Sequence, residues 1–164
     1  MARAKFVKKA RKARPEHGIE VGDSYYYWAF MQGGRGGPKH YSKTRPTRSQ
    51  LTQSDFLSQI YEMEDRGFTA EDPDGLRDER DTLVSDLESL GDEQYDKFSN
   101  MPDVLQQGDT GQLLEQRQEA CQNIASEFEG IDLDCDVEEG DEEGMQSWIA
   151  DKVSELESVG WDYE

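Results

Sequence analysis

The rhythm of apolar positions changes near residue 49. Before it, residues 23–43 read as paired strands. In Asp23-Ser24-Tyr25-Tyr26-Tyr27-Trp28-Ala29-Phe30-Met31 the side chains are mostly aromatic and strand-favouring. Gly33, Gly34, Gly36 and Gly37 surround Arg35 and supply a turn, and Lys39-His40-Tyr41-Ser42-Lys43 makes a return strand. Pro38 suits a strand start or edge. Alternation puts Tyr26, Trp28 and Phe30 on one face and Tyr25, Tyr27, Ala29 and Met31 on the other. A lone hairpin is marginal in water, so one face must pack on another element.

After residue 49 the apolar spacing is three and four, the period of a helix. Phe56, Ile60 and Met63 predict a first helix over 49–66, with Gly67 as its stop. Leu76, Leu83, Leu87 and Leu90 predict a second over 73–90, opened by Pro73 and ended by Gly91. A short helix follows at 92–99 with Tyr95 and Phe98, then a turn at 102–107. Leu113, Leu114, Arg117, Cys121, Ile124 and Phe128 trace the inner face of a helix over 110–128. Met145, Trp148, Ile149, Val153 and Leu156 trace the last, over 142–159. Trp161 and Tyr163 then read as a latch onto the body. Residues 1–15 hold only Phe6 and Val7 as large apolar side chains and read as a solvated basic arm. The expected fold is α+β, mostly α: a basic arm and β-hairpin module at 1–48, and an acidic bundle of about four to five helices at 49–164.

Composition makes that core thin. Hydrophobic residues are 34% of the chain, yet three Trp, seven Tyr and six Phe argue against disorder. Charge divides the chain more sharply. Residues 1–50 hold 12 of the 18 Lys and Arg against three acids, and the remainder holds 34 acids against six bases, within a net charge of −19. Salt-adapted acidity would not produce so basic a beginning. Such a division points to binding rather than catalysis.

Local motifs agree. Cys121 and Cys135 make no disulfide scaffold, and with His17 and His40 they show no zinc-ligand spacing. The glycine-rich turn lacks the lysine and helix of a phosphate-binding loop, and no local motif supports Cys121 or a serine acting with a histidine as a nucleophile. No enzyme and no cofactor are expected. Asp132, Asp134, Asp136 and Glu143 occupy positions 1, 3, 5 and 12 of a calcium loop, but position 6 is Val137 where a sharp turn needs glycine, so calcium is a weak candidate. The apolar run at 25–31 is too short to span a bilayer, so no membrane association is expected and the cytoplasm is the default location.

Lys9-Ala-Arg-Lys, Gly22-Asp-Ser-Tyr-Tyr-Tyr-Trp and Ser42-Lys-Thr-Arg-Pro-Thr-Arg-Ser-Gln-Leu-Thr-Gln-Ser-Asp-Phe carry a resemblance over residues 8–60 to small uncharacterised proteins of tailed bacteriophages and prophages. The turn at 32–37 is longer than in that pattern. The resemblance implies no catalytic residue. It implies phage biology in a host cytoplasm, where small acidic proteins act on host nucleases, polymerases or defence complexes.

Two functions from different classes follow. In the first, a non-enzymatic protein modulates or inhibits a host nucleic-acid-handling or defence complex, with Glu71, Asp72, Asp78, Glu79, Asp86, Asp132, Asp134, Asp136, Glu138 and Glu139 imitating a duplex's charge array. In the second, the chain binds DNA or RNA through residues 1–48: Lys8, Lys9, Arg11, Lys12, Arg35, Lys39, Lys43, Arg45 and Arg48 on phosphates, Tyr26 and Trp28 on bases. A virion or assembly component is a third class. Oligomeric state is open.

Overall fold

A computed structural model describes residues 1–32, 35–138 and 140–163, with nothing beyond the backbone described at residue 32. The turn glycines Gly33 and Gly34, the acidic candidate Glu139 and the terminal Glu164 lie outside the described residues. The fold is α+β and mostly α, with a three-stranded antiparallel sheet followed by helices. The chain forms two compact units, Met1–Asp65 and Arg66–Glu164.

In the first unit the sheet consists of β1 (Lys5–Val7), β2 (Tyr25–Gln32) and β3 (Arg35–Ser42), in the order β1-β2-β3. The hairpin is thus as expected, with a register shift between Ala29 and Met31. The solvated arm is not. Lys5, Phe6 and Val7 pair with Tyr27, Tyr26 and Tyr25. Beyond β1, the Ala10 amide donates to Asp23 (2.7 Å) and the Gly22 amide to Ala10 (2.9 Å), while Arg14 bridges Ile19. Ala10 and Ile19 are buried. These bonds satisfy backbone groups that a free arm would leave to water, so the basic segment is folded back along β2.

Alternation separates the two sheet faces. Trp28 is 6% exposed and stacks on His40 across the strands at 5.5 Å, and Phe6 lies 5.0 Å from Tyr26 on the same face. Trp28 Nε1 has no acceptor among the described residues, a local cost that burial of the indole outweighs. A 3₁₀ turn at Ser49–Leu51 precedes α1 (Asp55–Glu64), whose Ser54 caps the Leu57 amide at 3.3 Å. That cap starts the helix later than the expected 49. Phe56, Ile60, Tyr61 and Met63 form its buried face.

The first compact unit runs on to Asp65 and so includes α1 with the sheet. Arg48 links the two: its guanidinium holds Glu64 (3.1 Å) and Asp65 (2.6 Å) at the end of α1 and lies 5.0 Å over the Tyr61 ring. It fastens α1 to the segment that follows the sheet.

In the second unit α2 spans Pro73–Ser99 without a break, merging the expected helices at 73–90 and 92–99. Asp72 caps it through the Gly75 amide at 2.8 Å. Gly91 does not stop the helix. It is buried against α4 (Asp109–Glu129), where an added Cβ would meet Cys121 Cβ at 3.3 Å. Its lack of a side chain lets two helices approach closely, and that packing outweighs its poor helix propensity of about 1 kcal/mol. Leu76, Leu83, Val84, Leu87 and Leu90 of α2 and Leu114, Cys121, Ile124, Ala125 and Phe128 of α4 make the core. Leu113, expected inside, is 43% exposed.

A short α3 (Asp103–Gln106) matches the expected turn, and α5 spans Glu142–Glu157. In α5 only Leu156 is fully buried, and Met145, Trp148, Ile149 and Val153 are half-buried. Trp161 sits edge-on to Phe128 at 5.8 Å, which is the expected latch.

Candidate nucleic-acid interface

The sheet's second face is built by register. Lys5 of β1 stands opposite Tyr27 of β2, which stands opposite Tyr41 of β3. Val7 opposite Tyr25 and Ala29 opposite Lys39 complete the face. Tyr25, Tyr27 and Tyr41 form a half-buried triangle with ring centroids 6.0 to 6.4 Å apart. Cations lie against it: the Arg14 guanidinium is 3.9 Å from the Tyr41 centroid, and Lys39 Nζ is 5.4 Å from that of Tyr27. His17 packs on Tyr41 at 5.2 Å. Aromatic faces bordered by fixed positive charge are what a nucleic acid needs: π-surface for bases and cations for phosphates.

Of the residues expected to bind nucleic acid, Lys8, Lys9, Arg11 and Lys12 are exposed on the connection from β1 to β2. Arg35 is exposed at the start of β3, and Lys39 belongs to the tyrosine face. Arg45 is exposed beside Pro46. Two cations have partners within the unit. Lys43 holds Asp23 at 2.9 Å, and Arg48 is the α1 fastener. The Glu20 amide and then Lys43 hold the Asp23 carboxyl below its ordinary value. Carboxylates Glu64 and Asp65 push the Arg48 pKa up further, although it is already always charged. Tyr26 and Trp28 lie on the opposite face, where Trp28 is buried. Sequence reasoning missed Lys5, Arg14, His17, Tyr25, Tyr27 and Tyr41. The parity of the strand held the signal: odd positions from 25 align with odd positions from 5 and 39.

The expected acidic surface divides in two. Glu71, Asp78, Asp136 and Glu138 are exposed. Others have structural work. Glu79 accepts the Thr69 amide (2.9 Å), the Thr69 hydroxyl (2.9 Å) and the Ala70 amide (3.2 Å). Asp72 is the α2 cap, Asp86 pairs with Arg66 at 2.7 Å, and Asp134 lies 3.6 Å from Arg77. Asp132 accepts the Asp134 amide at 2.9 Å. Arg77 and Arg80 also donate to the carbonyls of Leu133 and Ile131, both at 3.1 Å, and so fasten this loop to α2.

Among the described residues no three His, Cys, Asp or Glu side chains gather as a metal site. Among the described residues no non-glycine residue has positive φ, so Val137 does not adopt the left-handed turn that glycine gives a calcium loop at its sixth position. Asp132 and Asp134 are turned instead to a local amide and to Arg77. Among the described residues no helix is long and apolar enough to cross a membrane.

Comparisons with protein-family models, with curated proteins and with solved structures gave no significant match.

Proposed function

We propose that this is a non-enzymatic nucleic-acid-binding protein that works through its first unit. The observation that carries the reading is the Lys5–Tyr27–Tyr41 row with Arg14 and Lys39 laid on its rings. Around it, Lys8, Lys9, Arg11, Lys12 and Arg35 have no recorded ion-pair partner among the described residues. Strands of this width fit a major groove, and the tyrosines offer stacking surface to a single strand. The resemblance to tailed-phage proteins supports a setting in the cytoplasm of a bacterial host.

The test is binding of the full chain to labelled single-stranded and duplex DNA and RNA across a salt series. Four neutralised phosphates would give log K a slope of about −3 to −4 against log salt. Charge reversal at Lys5 and Lys39 should weaken binding about tenfold or more at low salt. Absence of binding at about 50 mM salt to every probe, or an affinity untouched by the reversal, would sink the proposal.

A second reading has its own observation. Five of the second unit's six bases sit in ion pairs with its own carboxylates, which leaves an outward charge that is almost wholly negative. On that reading the second unit docks on a basic host protein that handles nucleic acid, and modulates or inhibits it as a DNA mimic. A nuclease-treated pull-down from host lysate decides. Charge reversal at Glu71, Asp78, Asp136 and Glu138 should release the captured protein; retention in all four variants would exclude mimicry.

A further inference from the structure

An open groove of about 420 Å³ lies at the β1 edge of the first unit, away from the tyrosine face. Its lining includes Arg3, Phe6, Tyr26, Arg45, Pro46 and Leu51 and, among the described residues, no acidic one. Phe6 is 58% exposed, although it is a large apolar ring on a folded strand. It is held by its tilted contact with Tyr26, 5.0 Å centroid to centroid, and by pairing of β1 with β2. The groove wall is fixed as well, because the Ala2 amide donates to the Leu51 carbonyl at 2.6 Å and Pro46 is buried. Two exposed guanidiniums, Arg3 and Arg45, stand on this lining with no recorded carboxylate partner among the described residues.

The chemistry selects the ligand. Two guanidiniums without a lining carboxylate favour an anion, and arginine suits phosphate in particular. An exposed ring beside them favours a flat partner. A planar anionic group of a size suited to such a volume is a nucleotide. We infer that this groove is a subsite for one unpaired nucleotide of a single strand, its base against Phe6 and its phosphate with Arg3 and Arg45. The inference rests on the nucleic-acid reading above and adds strand preference to it. A second groove of about 370 Å³, lined by Arg3, Phe30, Met31 and Gln53 among others, shares Arg3 with the first. The neighbouring nucleotide of the same strand has space there.

The experiment uses the full chain, a labelled twelve-nucleotide oligothymidylate, a duplex of equal length, and thymidine monophosphate as a competitor. Phe6→Leu keeps apolar bulk but removes the ring, and Arg45→Gln lies outside the strands. Each should weaken oligothymidylate binding about fivefold or more, the low end of one base's stacking, and weaken duplex binding less than the single strand. Circular dichroism melting checks that both variants fold. Unchanged oligothymidylate affinity in both folded variants overturns the subsite while leaving duplex binding to stand. So does a wild-type chain that binds duplex but not the single strand. Tight monophosphate binding that both variants weaken, beside an unaffected oligothymidylate, would also overturn it. If the wild-type chain binds neither probe, the underlying reading fails with it.

Discussion

Both units bury aromatic rings, but only the first also sets a cluster of them on a sheet face beside cations. In the second unit three rings meet around a buried one: Phe128 is 1% exposed, with Phe68 at 6.1 Å and Trp161 at 5.8 Å. In the first, Tyr25, Tyr27 and Tyr41 stay half-exposed on an open sheet face. Cations differ in the same way. The second unit has 30 acids for six bases, and five of those bases sit in its own ion pairs. The first has 12 bases for seven acids, and among the described residues its ion pairs involve Lys43 and Arg48. Whether a surface arginine is available for binding is therefore decided by the carboxylates around it, not by the arginine itself.

Four changes probe that contrast, from the largest effect to the smallest. Phe128→Ala should destabilise the second unit by about 3–5 kcal/mol, because the ring fills the core between Phe68 and Trp161. Urea unfolding followed by α4 amide exchange measures it, and a loss under 1 kcal/mol would mean that the aromatics are not core. Gly91→Val should cost about 1–3 kcal/mol, since its side chain enters the space of Cys121; a neutral result would show that α2 and α4 can part.

Salt should act with opposite signs. Raising NaCl from about 0.02 to 0.5 M relieves the second unit's self-repulsion and stabilises it, while it screens the two Arg48 bridges that fasten α1. Arg48→Ala should cost about 1 kcal/mol at low salt and less at high salt, because these bridges are largely solvent-exposed. Exchange protection of α1 against α2 gives the comparison, and parallel trends in both helices would break it.

The smallest effect concerns pH. Partial burial alone would raise the Glu79 pKa, but the bonds from Thr69 and Ala70 outweigh it and hold the carboxyl below its ordinary 4.5. A depressed carboxyl binds its proton less readily folded than unfolded. Its stabilisation is present above 4.5 and lost as pH falls through the lower folded value. Glu79→Gln should cost about 1 kcal/mol at neutral pH and remove this part of the acid response. An unchanged acid response of the Thr69 amide in NMR would count against it.

The helices were readable because each carries its own period and ends. Asp72 before Pro73 and Gly130 after Phe128 mark boundaries that need no tertiary partner. Gly91 was unreadable for the opposite reason. A glycine that ends a helix and one that lets a second helix approach look alike until Cys121 is known to face it. β1 holds three residues, too few to show alternation, so the arm looked free. The site suffered from the same gap. Both faces of β2 are aromatic, and only the pairing with β1 shows that Lys5 joins the tyrosine face and Phe6 the other.

Cys121 and Cys135 give the second unit an internal clock. Cys121 is fully buried between α2 and α4, and burial pushes its thiol pKa up to about 11, so in the closed unit it is neither ionised nor reachable. Cys135 is half-buried on the loop held by Arg77 and Arg80, its Sγ 3.9 Å from Met145 Sδ. A thiol-reactive reagent should therefore mark Cys135 through small loop excursions and Cys121 only when the helices separate. The ratio of the two labelling rates would time the parting of α2 and α4 without any engineered probe.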